Sequence, residues 1–302
     1  MFPVLFGVLL LVFTMTHIIP GDPVLLMLDV QYTEQEYKEM QAYLGLDKPL
    51  HVQFLRHLKG IITGDLGESI HSGEPVTTMI FRRFPATFTL AISAMLIAIA
   101  VSIPIGIISA LKQNSKIDYA SMMGAQVGVS MPIFWWGMML ILLISLYLDL
   151  LPAGGRGDPP DLVHLILPAF CLSTPFMAMT ARLTRSCMLE VLRENYIVAA
   201  RSRGFPETRI ILKHALRNAM LPVVTNLGLQ LSRVLGGTLV TEVVFRWPGI
   251  GGLAYDSIME RDYQVVLGVV LLVAVIFIVI NLLVDLSYTF FDPRIRYDTR
   301  TS

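Results

Sequence analysis

Residues 194–226 read ENYIVAARSRGFPETRIILKHALRNAMLPVVTN, a polar and strongly basic segment between two long apolar runs. Gly204 divides the segment into two helix-like halves, because glycine readily adopts the left-handed conformation that ends a helix. Pro206 follows at a position typical of the first turn of the next helix. The pattern predicts a short hairpin of helix, sharp turn and helix, which a partner protein can grip in a groove.

A simpler interpretation is a basic loop that faces anionic lipid headgroups, which attract each basic residue by about 1 kcal/mol. That interpretation explains the charge, but it explains neither the glycine turn nor the buried-looking pair Ala199 and Ala200. We therefore favour the docking hairpin.

The composition of the whole chain is that of an integral membrane protein. Only 15% of the 302 residues are charged and 54% are hydrophobic, whereas soluble domains carry about a quarter charged residues. The 23 basic and 23 acidic residues cancel, which argues against a nucleic-acid-binding protein. Cys171 and Cys187 fall on one predicted helix, roughly 24 Å apart and too far for a disulfide, so we interpret both as packing residues.

Six apolar segments are long enough to cross a bilayer, which takes roughly 20 residues. They lack strict alternation and are therefore predicted to be helices rather than strands, with internal prolines that predict bends. The sequence thus predicts an all-α membrane protein with six transmembrane helices. The segments are residues 2–19, 86–111, 119–148, 164–190, 219–245 and 265–290.

The first of these segments is interpreted as an uncleaved span, because it has no basic residues before it and no small-residue cleavage site after it. Residues 20–85 would form an external cap, in which YTEQEYKEMQAYLGL and PLHVQFLRHLKGII are typical of short amphipathic helices. Its histidines, His51, His57 and His71, lack the spacing that favours a metal site. Residues 86–302 would form a core of five spans with a coupling loop at residues 190–222.

Lysine and arginine residues orient the spans, because cytosolic loops carry an excess of both. Thirteen of them fall on one side of the predicted membrane, which we assign to the cytosol together with both termini. They are Lys112, Lys116, Arg182, Arg185, Arg193, Arg201, Arg203, Arg209, Lys213, Arg217, Arg294, Arg296 and Arg300.

Several pieces of the sequence together resemble one family. They are VAARSRG from residue 198, RNAMLPVV from 217, IIPGDPV near 20, LGLDKPLHVQFLRHLKGIITGDLGESI, FPATFTLAI at 84, TEVVFRWPGIGGL from 241, RDYQVV from 261 and NLLVDLSYTFFDPRIRY at the end. The set resembles the permeases of ATP-binding-cassette (ABC) importers, above all the dipeptide, oligopeptide, nickel and glutathione branch, over nearly the whole chain. Val198 departs from the acidic residue of the broader motif, and the interval from Gly204 to Pro222 is longer than in that motif.

The resemblance implies a coupling helix near residues 195–204 that sits in a cleft of a cytosolic ATPase. Gly204 would set the turn, Ala199 and Ala200 would allow close packing, and Arg201 and Arg203 would meet the partner. The residues assigned to this coupling site are Asn195, Ala199, Ala200, Arg201, Arg203, Gly204, Phe205 and Glu207.

The energy source is expected to lie outside the chain. It contains no G-x-x-x-x-G-K-[ST] phosphate loop, no nucleophile elbow and no H-E-x-x-H motif, so we expect no enzymatic activity and no cofactor bound by this chain. ATP and magnesium would belong to partner ATPases. Six helices are few to enclose a path for a peptide, so a second permease subunit is expected, giving a heterodimer.

The resemblance also implies two cytosolic ABC ATPase subunits, an extracytoplasmic substrate-binding protein and a lipid environment. The localisation would be the plasma (inner) membrane of a bacterium or archaeon, and no nucleic-acid partner is expected.

Three residues are candidates for the translocation pathway or a gate. Arg233 lies deep in a predicted span, where a charge is costly, and it could meet a peptide carboxylate, pair with the second permease or lie near headgroups. Glu242 is the second candidate. Trp247 is the third, since by resemblance its turn contributes to an external vestibule, although an aromatic anchor at the membrane interface is an equal alternative.

The predicted function is therefore the membrane-spanning subunit of an ATP-driven, binding-protein-dependent importer of di- and oligopeptides. Nickel chelates and glutathione stay open as substrates. An ion-coupled secondary transporter would require midplane carboxylates and an inverted repeat, and the sequence shows neither convincingly. An intramembrane enzyme would need a nucleophile with a base, and the sequence offers no candidate.

Overall fold

A computed structural model describes residues 32–236 and 238–291, together with a few isolated positions before residue 32. The predicted first span at residues 2–19 therefore lies mostly outside the described residues, and Arg294, Arg296 and Arg300 lie wholly outside them.

Helices dominate the part of the chain that the structure describes, where the only β-pairing is an isolated bridge between Glu68 and Pro75. The predicted all-α class is confirmed for these residues. In chain order the helices are α1 (Glu34–Leu44), α2 (Leu50–Thr63), α3 (Val76–Leu111), α4 (Lys116–Ser130), α5 (Ile133–Leu140), a π-helix (Ile141–Tyr147), α6 (Val163–Leu192), α7 (Asn195–Ser202), α8 (Glu207–Arg209), a second π-helix (Ile210–Ala215), α9 (Leu216–Gly236), α10 (Leu239–Val244), α11 (Ile250–Glu260) and α12 (Tyr263–Phe291).

One compact unit comprises Met1–Thr87 and Pro248–Ile278. It contains the two short helices predicted between residues 20 and 85, of which α1 begins with a capping box formed by Thr33 and Glu36. These two residues exchange hydrogen bonds between side chain and backbone, which satisfies amide groups that the first helical turn leaves unpaired. The core of this unit is a cluster of buried aliphatic residues from α3, α11 and α12: Val76, Ile80, Ile250, Leu253, Ala254, Val265 and Val269.

The buried carboxylate of Asp262 fastens a loop to the start of α12 in the same unit. It accepts hydrogen bonds from the Ser69 hydroxyl (2.6 Å), the Ile70 N–H (3.1 Å) and the Val265 N–H (3.3 Å). Asp262 therefore caps α12 and holds the loop that precedes α3.

The second compact unit comprises Phe88–Trp247 and Val279–Ser302. Helix α6 is central to it and contacts α4, α5, α9 and α10. Helices α3 and α6 cross closely at Gly106, where an added Cβ would lie 2.6 Å from the Cβ of Thr184. Small residues allow such close approach between membrane helices. Cys171 and Cys187 are buried, free thiols on α6, as predicted.

Three of the described helices are long and apolar enough to cross a membrane: α3, α6 and Tyr263–Val284 of α12. Helix α4 and the pair Ile133–Tyr147 meet the same criterion only together, and they are bent by 108°.

The span predicted at residues 119–148 is thus sharply bent between Ser130 and Ile133, where an internal proline predicts a bend. Met131 has an extended backbone (φ −82°, ψ 131°), because the residue before a proline is driven out of the helical region. The predicted span at residues 219–245 is also interrupted, since α9 ends at Gly236 and α10 starts at Leu239.

Candidate functional site

The basic segment folds into the helix, turn and second helical segment that its sequence predicts. We call residues 195–215 the hairpin, which comprises α7, the turn at residues 203–206, α8 and the π-helix Ile210–Ala215. All of its residues are described.

The turn of the hairpin has the hydrogen bonds of a Schellman motif. Gly204 adopts φ +77°, its N–H donates to the carbonyl oxygen of Arg201 (2.9 Å), and the Phe205 N–H donates to that of Ala200 (3.3 Å). Both bonds satisfy carbonyl groups that the end of α7 would otherwise leave unpaired. An added Cβ at Gly204 would meet no atom within 4 Å, so this glycine is required for its backbone conformation and not for space.

The inner face of the hairpin is apolar and packs on the long helices. Ile197 (0% exposed) and Ala200 (9% exposed) belong to a buried cluster, which we call the hairpin cluster. It comprises Ala110 of α3, Cys187 and Met188 of α6, Ile197 and Ala200 of α7, Ile210 and Ala215 of the π-helix, and Ala219 and Val223 of α9.

Ala199, in contrast, is exposed. Residues three apart lie on one side of a helix, so Ile197 and Ala200 face inward together, and Ala199 does not. The expectation of a buried alanine pair holds for Ala200 alone.

A polar contact adds to this apolar attachment. The Asn218 amide on α9 donates to the hydroxyl oxygen of Tyr196 on α7 at 2.7 Å. The hairpin is thus fastened to the body of its unit by side chains on both arms.

The outer face of the hairpin carries its charges. Arg201 and Glu207 form a two-point ion pair across the turn, with Nη2–Oε1 at 2.6 Å and Nε–Oε2 at 3.3 Å. This hydrogen bonding lowers the pKa of Glu207 and raises that of Arg201. Arg201, expected to meet a partner surface, already has an ionic partner within the hairpin, whereas the side chains of Asn195 and Arg203 are exposed.

Phe205 lies beside this ion pair and is 38% exposed. The Arg209 guanidinium lies 5.7 Å from its ring centroid, and the His214 ring lies 6.0 Å from it. A cation over an aromatic face is a weak attraction at an exposed site. The exposed surface of the hairpin therefore carries charged groups together with exposed apolar side chains such as Phe205, Val198 and Leu212, on a backbone that is held by its buried inner face.

The three pathway candidates occupy different environments. Arg233 is exposed near the end of α9 and takes part in none of the ion pairs found among the described residues. Glu242 is fully buried in α10. Trp247 is 2% exposed, with the Arg156 guanidinium 5.9 Å from its ring centroid.

Sequence reasoning missed an ion pair between Asp118 on α4 and Arg185 on α6, with Nε–Oδ1 at 2.6 Å. From the sequence, Arg185 is only one of the thirteen basic residues that orient the spans. The local sequence offers only Ser115, whose side chain caps the helix that carries Asp118. It predicts the start of that helix and not the ion pair.

Among the residues that the structure describes, no group of three or more His, Cys, Asp or Glu side chains is placed to hold a metal ion. The Nε2 atom of His71 lies 2.6 Å from the carbonyl oxygen of Glu260.

Comparisons with known proteins cover nearly the whole chain. Residues 102–297 match the family described as binding-protein-dependent transport system inner membrane component, and residues 2–91 match the N-terminal membrane component of the same systems. The dipeptide transport system permease protein of Escherichia coli K12 is 44% identical over 98% of this chain and 96% of its own length. The glutathione transport system permease protein of Salmonella paratyphi A is 43% identical over 98% of this chain and 95% of its own.

Among solved structures, a chain of the inward-facing MetNI methionine ABC transporter matches with a TM-score of 0.57 and 16% identity, over 71% of this chain and 96% of that one. At this identity the match concerns the fold alone. The sequence matches are close enough to decide the family.

Proposed function

The chain belongs to the family of binding-protein-dependent transport system inner membrane components, and we propose that it forms half of the membrane path for di- and oligopeptides in an ATP-driven ABC importer. Its relatives named for dipeptide and glutathione transport support a peptide substrate, since glutathione is itself a small peptide. A permease of this family is not itself an enzyme, and we propose that ATP and magnesium bind to partner subunits.

One observation carries the proposed mechanism: the hairpin cluster joins α7 directly to α3, α6 and α9. Close-packed interiors resist compression, so a force applied to the outer face of the hairpin would displace these helices together. Rigid-body movement of packed elements is a common form of transmitted conformational change. We propose that ATPase subunits grip the hairpin and supply that force.

The proposed topology has six spans and both termini in the cytosol. The three long apolar helices and the bent pair support four of the spans, and α9 with α10 would supply another. The first would come from residues 2–19. The thirteen basic residues on one side support a cytosolic hairpin, in the inner membrane of a bacterium or archaeon.

The proposed partners are a second permease subunit, two cytosolic ATPases and an extracytoplasmic substrate-binding protein. The exposure of Arg233 is consistent with pairing to the second permease or with contact to a peptide carboxylate, since a charge inside a membrane needs a partner or a hydrated cavity.

Uptake assays in the source cell test this function. Deletion of the gene in an amino-acid auxotroph should abolish growth on dipeptides that contain the required amino acid, and a plasmid copy should restore it. Uptake of radiolabelled glutathione and of nickel, measured in the same strains, decides among the substrates of the branch. Unchanged dipeptide uptake with a loss of nickel uptake would contradict the peptide assignment.

A further inference from the structure

A buried ion pair lies where the turn between α3 and α4 meets α6. The Asp118 side chain is almost fully buried. The Arg185 guanidinium donates two parallel hydrogen bonds to its carboxylate, Nε–Oδ1 at 2.6 Å and Nη2–Oδ2 at 2.7 Å. Two-point pairing between arginine and a carboxylate fixes both the distance and the relative orientation of the two groups.

The same carboxylate also binds the end of α3 and the turn that follows it. The Ser109 hydroxyl donates to Oδ1, and the Asn114 N–H donates to Oδ2 at 3.0 Å. The Asp118 N–H in turn donates to the Ser115 side chain at 3.3 Å. One side chain thus collects donors from α3, the connecting turn and α6.

Stability alone is a weak reason for this arrangement, because removing two charges from water offsets much of their attraction. What the pair provides is a fixed geometry at a particular place. Arg185 lies less than one helical turn before Cys187 and Met188, which belong to the hairpin cluster. Helix α6 then ends at Leu192, three residues before the hairpin begins.

We propose that Asp118 and Arg185 are positioning residues for energy coupling, which make the turn between α3 and α4 move with α6 when the hairpin is displaced. This inference rests on the proposed function. Without the pair, the hairpin would still be bound by the ATPase subunits and ATP would still be hydrolysed, but α4 and the turn that precedes it would follow α6 imperfectly.

The chain supplies a matched control on the same helix. Arg182 lies three residues before Arg185 and also reaches α4, where it donates a single hydrogen bond to the Gln126 side chain at 3.2 Å. That contact is exposed and makes no ion pair among the described residues. Arg182→Gln removes the same charge from the same side of the predicted membrane without touching the buried pair.

The experiment reconstitutes the complete importer in vesicles and measures labelled dipeptide taken up per ATP hydrolysed. Asp118→Asn, Arg185→Gln and the double variant Asp118→Asn/Arg185→Gln are compared with wild type and Arg182→Gln. We expect uptake per ATP to fall by about tenfold in each single variant. The double variant should show no further loss, because both substitutions break one interaction. Arg182→Gln should retain the wild-type ratio.

The amount of assembled complex and its thermal stability are measured on the same samples. If the pair had only a structural role, both of these would fall in the variants while uptake per ATP stayed at the wild-type value. If a single variant fails to assemble, uptake per ATP in the double variant, which buries no unpaired charge, tests the inference instead. A wild-type ratio in the variants, or an equal loss in Arg182→Gln, overturns the inference and leaves the proposed function intact. A wild-type complex that hydrolyses ATP without moving dipeptide overturns both.

Discussion

The hairpin and the Asp262 loop are both short segments fastened to long helices, but they are held by different forces. The hairpin attaches mainly through the hairpin cluster, in which Ile197 and Ala200 pack on aliphatic and sulfur-containing side chains. The loop at Ser69 attaches through a buried carboxylate that accepts three hydrogen bonds.

Because the two attachments differ, the two segments respond differently to an applied force. Apolar packing is non-directional and resists compression from any side, which suits an element that must be pushed. Hydrogen bonds to a buried carboxylate are directional and are costly to leave unmade, which suits an element that must stay in place. The predictions below test this distinction, in decreasing order of their effect on transport.

The largest effect is expected from overfilling the hairpin cluster. Ala200→Leu forces a larger side chain into close-packed surroundings, at a cost of about 1–3 kcal/mol, and should reduce dipeptide uptake roughly tenfold or more because the hairpin no longer seats on the long helices. Uptake by cells that express the variant at the wild-type membrane level measures this.

Whether the hairpin stays attached can be measured by hydrogen exchange. Ala199→Leu is the matched control for that measurement, because Ala199 is exposed. Hydrogen exchange at the amides of Gly204 and Phe205 should accelerate in Ala200→Leu and stay at the wild-type rate in Ala199→Leu. Equal exchange in both variants would contradict apolar attachment.

A smaller effect on transport is expected from Asp262→Ala, which removes the acceptor for three donors. Leaving buried donors unpaired costs about 1–3 kcal/mol, so amide exchange at Ile70 and Val265 should rise by at least about tenfold. Dipeptide uptake should fall less than in Ala200→Leu. Asp256→Ala, at an exposed position of α11, is the control and should leave exchange unaltered. Wild-type protection of Ile70 in Asp262→Ala would show that the carboxylate does not hold the loop.

The smallest effect concerns the ion pair on the outer face of the hairpin. The pKa of Glu207 is lowered by the Arg201 hydrogen bond, so the pair stabilises the turn above the ordinary glutamate pKa of about 4.3. That contribution is lost as pH falls through the lower, folded-state value.

Protection of the Gly204 and Phe205 amides should therefore decline in the wild type only as the pH falls below the ordinary glutamate range. In Glu207→Gln it should be independent of pH over that range and lower at pH 7 by less than about threefold, because exposed ion pairs contribute little. Identical pH profiles for both proteins would show that the pair does not support the turn.

Local rules predicted several features of this fold correctly. Gly204 was placed at the end of the first hairpin helix because its conformation depends on few residues besides itself. The apolar composition of α3, α6 and α12 predicted membrane-spanning helices for a similarly local reason. Prolines were less predictive of bends, since Pro168 and Pro175 lie inside the continuous helix α6, whereas Pro132 lies in the break at a 108° bend.

The candidate site was predicted only in outline. The sequence identified the hairpin and its residues, but it suggested a buried pair at Ala199 and Ala200 where only Ala200 is buried. It also placed Arg201 against a partner protein without anticipating its bond to Glu207. Both differences depend on side-chain directions that only the folded hairpin defines.

Hydropathy and the conformational preferences of a few neighbouring residues are enough to predict the membrane class, the helical nature of the chain and the backbone of the hairpin turn. The folded chain is needed to define the pairing of Asp118 with Arg185, the burial of Glu242 and Trp247, and the membership of the hairpin cluster. These contacts join residues distant along the chain, and packing between helices selects them from many pairings that the sequence equally permits.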